Sequence, residues 1–108
     1  MLKFIGTGSA FRTDLGNNSA YIKERDSFLL IDCGGTVFHS MKNENILEDL
    51  KKVYILITHT HLDHIGSLGD FIFYCHYVLK IKPVIYYPGE RILSEFLNIS
   101  GVQREMYE

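Results

Sequence analysis

The stretch from Thr58 to Gly66, Thr-His-Thr-His-Leu-Asp-His-Ile-Gly, most narrows what this chain can become, because it sets His59, His61, Asp63 and His64 within six consecutive positions. It follows Val53 to Thr58, a short apolar run rich in β-branched residues that reads as a buried strand aimed at the cluster. If the backbone is still extended as it leaves that strand, His59 and His61 project from the same side and can grip one ion. Asp63 and His64 then fall at a turn into a helix, where the positive end of the helix dipole favours an ionised carboxylate and keeps His64 neutral enough to donate a lone pair. Imidazole nitrogen and carboxylate oxygen together suit zinc, or manganese or iron in similar sites. Taken singly, Asp63 is an ordinary helix cap and the two histidines are ordinary polar residues at a strand end. All four side by side in a chain with five histidines favour a metal.

The pattern His-x-His-x-Asp-His at His59, His61, Asp63 and His64 resembles the hallmark of the metallo-β-lactamase superfamily. The resemblance implies a dinuclear metal hydrolase, with His59 and His61 on one metal, Asp63 and His64 on the other, and up to two zinc ions, or manganese or iron. A hydroxide between the metals would be the nucleophile, since metal binding lowers the pKa of water toward neutrality, and Asp63 would guide its proton. Asp32-Cys33-Gly34-Gly35 resembles the family's Asp-Cys-Gly segment, which implies that Asp32 accepts a hydrogen bond from a ligand histidine and fixes its tautomer. A plain turn carboxylate is the competing role for Asp32. Gly6-Thr7-Gly8-Ser9 resembles the opening turn of the phosphodiesterase and RNA-processing branch, which tilts the substrate toward phosphate esters or phosphodiesters. Taken alone, those glycines read as a structural turn, because the third glycine of a dinucleotide fingerprint is absent.

A length of 108 residues leaves room for one small domain. With 46% hydrophobic and 22% charged residues, folding rather than disorder is expected. A net charge of −2 with scattered basic residues gives no electrostatic footprint for a nucleic-acid polymer. No apolar run reaches the length of a membrane span and no export signal follows Met1, so a cytoplasmic protein is expected. Cys33 and Cys75 are too few for a disulfide framework and are read as reduced thiols.

Leu2 to Ile5 reads as a first strand, and Arg12 to Asn18 as a surface loop. Ser19 to Lys23 and Ser27 to Asp32 read as a hairpin turning at Glu24-Arg25-Asp26. Phe28 to Ile31 is apolar throughout, as expected of a strand covered on both faces. Thr36 to Lys42 and Ile46 to Lys52 read as helical pieces, the first turning Val37, Phe38 and Met41 to the sheet, the second carrying a solvent-facing Glu48 and Lys52 pair. From Leu62 to about Lys80 the pattern predicts one helix with Leu68, Phe71, Ile72, Cys75, Val78 and Leu79 at core spacing and little circumference left for water. His39 and His76 read as solvated. His76 lies 12 residues past His64, about 18 Å along a helix, out of reach of the same ion. Pro83 to Tyr87 reads as a last strand, and Pro88-Gly89 opens a final helix with Ile92, Leu93, Phe96 and Leu97 inward.

The family's further ligands, two later histidines and a bridging aspartate, have no counterpart after Gly66. Residues 1–108 are therefore expected to form the N-terminal half of the family's αββα sandwich, an α/β (α+β) arrangement with one mixed β-sheet and flanking helices. The chain is either the amino-terminal fragment of a longer hydrolase or a free-standing half that pairs to complete itself. Both predict a sheet face without intramolecular cover, and a homodimer or larger assembly burying more than about 1,000 Å². The first functional expectation is a metal-dependent hydrolase of phosphate esters or phosphodiesters, acting on a small-molecule or phosphodiester substrate. The alternative is a non-catalytic half-domain serving as an assembly module. An oxidoreductase is disfavoured because that branch replaces the motif's second histidine with a carboxylate, and position 61 is His.

Overall fold

Two sequence patterns build the sheet: alternation in the first two strands, and short apolar runs in the last three. The computed structural model describes residues 2–8, 15–58, 60–87 and 90–108, with the Glu90 side chain excepted. Strands β1 (Leu2–Gly6), β2 (Ser19–Glu24), β3 (Ser27–Ile31), β4 (Lys52–Leu56) and β5 (Val84–Tyr86) form one sheet in sequence order. β1, β2 and β3 are antiparallel, while β3, β4 and β5 run parallel through helical crossovers. This is the mixed sheet with flanking helices expected from the sequence. The hairpin turns at Arg25-Asp26 between the paired Glu24 and Ser27, with Arg25 at φ +56°. Ser9 to Asp14, and with them the end of the glycine turn and much of the expected surface loop, lie outside the described residues, as do His59, Pro88 and Gly89.

Pairing register and side-chain alternation sort the strands into two faces. Phe28, Leu30, Val53 and Ile55 point to one side and are almost fully buried. That core is closed by α1 (Val37–Asn43), α3 (Leu68–Tyr74) and α4 (Glu90–Ile99), which contribute Val37, Met41, Phe71, Ile72, Leu93 and Leu97. Phe28 stacks on Tyr21 at 5.4 Å between ring centroids and meets Phe71 edge-on at 6.2 Å. The opposite face is also apolar but uncovered. Leu2, Phe4, Leu56 and Tyr86 are 44, 64, 38 and 52% exposed there, with Leu29, Ile31 and Val84 half-buried between them. Cover on both sides of β3 is therefore not met within the chain, and the bare face expected of a half-sandwich is.

Several helical expectations are corrected. Residues 44–49 form consecutive turns instead of a helix, because Asn45 and Asp49 adopt left-handed backbone at φ +56° and +60°. Glu48 and Lys52 are then not helical neighbours; the Glu48 carbonyl instead accepts from Lys23 Nζ at 3.0 Å. The single helix predicted over 62–80 is three pieces: α2 (Leu62–Ile65), α3, and a π-helical turn at Cys75–Leu79. A π turn inserts a residue into the helical register, and it carries Val78 outward to 59% exposure while Cys75 stays buried. Lys80 closes that turn in left-handed backbone, φ +59°. Ile92 likewise faces solvent at 60% exposure, leaving Leu93 and Leu97 to anchor α4. His39 and His76 are exposed as expected. No helix among the described residues is long and apolar enough to cross a membrane.

Candidate functional site

At the C-terminal ends of β3 and β4 two loops lock together, one carrying Asp32-Cys33-Gly34-Gly35 and the other Thr58 to Ser67. The lock is mostly backbone: Asp32 N–H donates to the Leu56 carbonyl at 2.8 Å, Cys33 N–H to the His64 carbonyl at 2.7 Å, and Ser67 N–H to the Cys33 carbonyl at 3.0 Å. Glycine is required where the loops cross. A Cβ on Gly34 would lie 2.1 Å from the Asp63 carbonyl oxygen, and one on Gly66 2.9 Å from the Gly35 nitrogen. Ser67, buried, donates its hydroxyl to the Gly34 carbonyl and accepts from Phe38 N–H at 3.1 Å, which ties α1 to the same junction. That bond set stops α2 after one turn and restarts the helix at Leu68.

Asp32 is the hub of the site. Only 5% exposed, it sits in left-handed backbone at φ +62°, a conformation non-glycine residues hold at functional sites only when their surroundings enforce it. Here the buried Ser19 hydroxyl donates to the Asp32 carbonyl at 2.8 Å and to that of Ile31 at 2.9 Å. The Asp32 carboxylate in turn accepts three bonds: Thr58 N–H on Oδ1 at 2.8 Å, and the Thr58 hydroxyl and His64 Nδ1 on Oδ2, both at 2.7 Å. An ionised carboxylate only accepts, so His64 Nδ1 carries a proton, and Nε2 is the ring nitrogen left to face Asp63. That Nε2 stands 3.3 Å from Asp63 Oδ2, with the two side chains 13 and 19% exposed. The Asp32 carboxylate thus touches both Thr58 and His64.

The other sequence candidates are placed as follows. His61 is exposed and occupies the N-cap of α2 in extended backbone, φ −68° and ψ 154°, which brings its carbonyl onto His64 N–H at 2.8 Å. His59 lies outside the described residues. With α2 only four residues long, the dipole support expected for Asp63 and His64 reduces to that of a single turn. A cleft of about 380 Å³ opens beside Asp63, lined also by Asn17, Gly35, Leu62 and Gly66. Its wall is fixed by a reciprocal pair in which Asn17 N–H donates to Thr36 Oγ1 at 2.8 Å and Thr36 N–H to Asn17 Oδ1 at 3.1 Å. Thr58, Ser67, Asn17 and Thr36 were not singled out from the sequence; Ser67, a polar residue inside an apolar helical pattern, was the one visible signal. Cys33 lies beneath the junction, fully buried. Burial pushes its thiol up to about 12, and that of Cys75 likewise, so neither is a thiolate at neutral pH.

The donor set decides how well an ion fits. Among the described residues Asp63 and His64 converge, but no group of three or more histidine, cysteine, aspartate or glutamate side chains is placed to hold one. On these residues a resident metal is not matched, since a structural or catalytic zinc takes at least three protein ligands.

Comparison with known proteins adds three findings. The sequence model of a family described as "Anti-Pycsar protein Apyc1" matches residues 1–98. Curated relatives carry the same description: one from Bacillus phage vB_BsuM-Goe3 is 45% identical over 92% of this chain, and one from Bacillus phage BSP38 is 44% identical over 72%. The chain spans 38 and 30% of their respective lengths. Among solved structures, human tRNase Z, short form, superimposes with a TM-score of 0.70 at 24% identity, covering 99% of this chain and 42% of that one. The metallo-beta-lactamase fold protein YhfI from Bacillus subtilis gives 0.68 at 19%, covering 99 and 43%. These two likenesses show the fold alone: one sheet layer of a metallo-β-lactamase-like domain with its helices. The functional expectation of a metal-dependent phosphodiester hydrolase, with zinc, is corrected here. The relatives are named for opposing Pycsar and not for a hydrolysis, and the described residues supply two of the donors a zinc site needs.

Proposed function

This chain belongs to the anti-Pycsar protein Apyc1 family, and on that premise we propose that it is the N-terminal assembly half, residues 1–108, of an anti-Pycsar protein. It acts by docking rather than by chemistry of its own. The observation that carries this is the bare apolar sheet face formed by Leu2, Phe4, Leu56 and Tyr86 around Leu29, Ile31 and Val84, on a chain spanning 30 to 38% of its relatives' length. Contiguous exposed apolar surface of this kind marks an interface. The occupant we assign is a second copy of the chain, laid sheet to sheet at the ~10 Å spacing of packed sheets. His59, His61, Asp63 and His64, with Asp32 behind His64, remain the assigned site in this reading. With two donors converging, the isolated half is expected to hold a divalent cation weakly and lose it on dialysis. The two free, buried thiols are in keeping with a cytoplasmic setting.

Sedimentation of the chain at about 10 µM tests the assembly. A dimer is expected, and Leu56→Glu with Phe4→Glu should return it to monomer while the far-UV spectrum is kept. A monomer at that concentration, or a dimer indifferent to both substitutions, removes the proposal. The anti-Pycsar role is tested separately in bacteria carrying Pycsar: phage plaques should rise when the chain is expressed, and fall back with the double substitution. Plaque counts unmoved by the chain would refute that role.

A further inference from the structure

We infer that the end of the sheet opposite the histidine cluster is a binding cleft for the phosphates of a nucleotide. β4 and β5 are parallel, with Tyr54 opposite Val84, so the segments leading into them arrive at the same end. These segments carry Lys51 and Lys52 on one and Lys80 and Lys82 on the other, and all four line one cleft of about 340 Å³. A five-residue strand separates this cleft from the Asp63 and His64 end, about 17 Å at the rise of a strand.

Four of the chain's 11 basic residues thus meet in one place on a protein of net charge −2. Glu108 is the acidic residue on the lining. Among the described residues none of the four lysines forms an ion pair, although Arg91 and Glu95 do so elsewhere. The backbone is held at Lys51, Lys52 and Lys80, while all four residues are exposed. Lys51 and Lys52 N–H both donate to the Asp26 carbonyl, at 2.8 and 3.1 Å, and Ile81 N–H donates to the Cys75 carbonyl at 2.8 Å directly after Lys80. Lys80 holds left-handed backbone, φ +59°, where stability alone would favour glycine. Clustered like charges repel and are relieved by an anion. Lysine ammoniums are mobile point charges suited to phosphate oxygens.

Tyr54, half-buried, adds an aromatic ring to the same lining. A ring beside cations is what a base bearing phosphates stacks on. Nucleoside triphosphates match both parts, with an oligophosphate on the four ammoniums and a base on Tyr54. This inference does not rest on the docking proposal, although Val84 lines both surfaces and Tyr54 lies on the same sheet face as Leu56; its test turns on the lysines, the docking test on Phe4 and Leu56.

Calorimetric titration of the intact protein with ATP, tripolyphosphate and adenosine tests it, at about 50 mM salt. ATP and tripolyphosphate should bind with sub-millimolar Kd and adenosine should not. Lys52→Gln with Lys82→Gln should weaken ATP at least tenfold, and the pair Lys51→Gln with Lys80→Gln should do the same, each with an unchanged melting curve. Tyr54→Ala should weaken ATP about fivefold and leave tripolyphosphate unaffected. No heat with millimolar ATP, or binding untouched by both lysine pairs, overturns the cleft. Equal losses for ATP and tripolyphosphate at Tyr54→Ala overturn the base contact, and a 12-nucleotide single-stranded RNA binding more than tenfold tighter than ATP overturns the nucleotide assignment.

Discussion

Replacing Asp32 by alanine should unhook both loops of the site at once. The carboxylate accepts from Thr58 N–H, the Thr58 hydroxyl and His64 Nδ1, at 2.8, 2.7 and 2.7 Å. A bond to a charged acceptor contributes about 1.5–3 kcal/mol when buried, and because Thr58 is exposed the value per bond is discounted to about 1 kcal/mol. Alanine at φ +62° adds about 1 kcal/mol of backbone strain relative to aspartate, whose side chain tolerates that region. The sum is about 3–4 kcal/mol. Equilibrium unfolding in urea should therefore move to a midpoint about 2–2.7 M lower at an unchanged slope of ~1.5 kcal/mol/M. Asp32→Asn, which keeps the backbone preference and one carbonyl acceptor, should lose about half as much. Nitrogen NMR supplies the second reading: His64 should be protonated at Nδ1 in the parent and lose that preference in Asp32→Ala. A loss below 1 kcal/mol, or a tautomer that does not change, would refute Asp32 as the hub.

Three further expectations concern the scaffold. Phe28→Ala empties the space between Tyr21 and Phe71 and should cost about 3–5 kcal/mol by urea unfolding. Cys33 and Cys75 have thiols raised from 9.0 to about 12. Each favours the folded state fully below pH 9, and that contribution is lost as pH rises toward 12. At pH 10 the loss is on the order of 1 kcal/mol per thiol, so Cys75→Ala should be less sensitive than the parent between pH 8 and pH 10, and parallel stability curves would count against it. Arg25→Gly should relieve the positive φ of the hairpin. After the extra unfolded-state freedom of glycine is deducted, a gain of about 0.5 kcal/mol remains, and a lower melting temperature would contradict it.

The strands were legible because each carries its pattern locally: β2 and β3 alternate or run apolar between turn residues, and Val53 to Ile57 can be little else. The helices were less so, since what breaks them is tertiary. Ser67 interrupts the 62–80 pattern by bonding Gly34 and Phe38, residues some thirty positions earlier, and no periodicity within the segment records that demand. The same holds for the site. His-x-His-x-Asp-His advertises itself, but Thr58 and Ser19 matter only because a left-handed Asp32 reaches one with its carboxylate and presents its carbonyl to the other. An apolar strand such as Phe28 to Ile31 is ambiguous in a further way: its pattern demands cover on both faces without saying from where. In this chain helices cover the side of Phe28 and Leu30, and Leu29 and Ile31 are left half-buried beside Leu56 and Tyr86. The strand pattern therefore calls for cover on a face that the described residues leave open. A sheet that is apolar on both sides but helix-covered on one leaves apolar area open to docking, and the proposed second copy is tested on that face more directly than by any substitution in the histidine cluster.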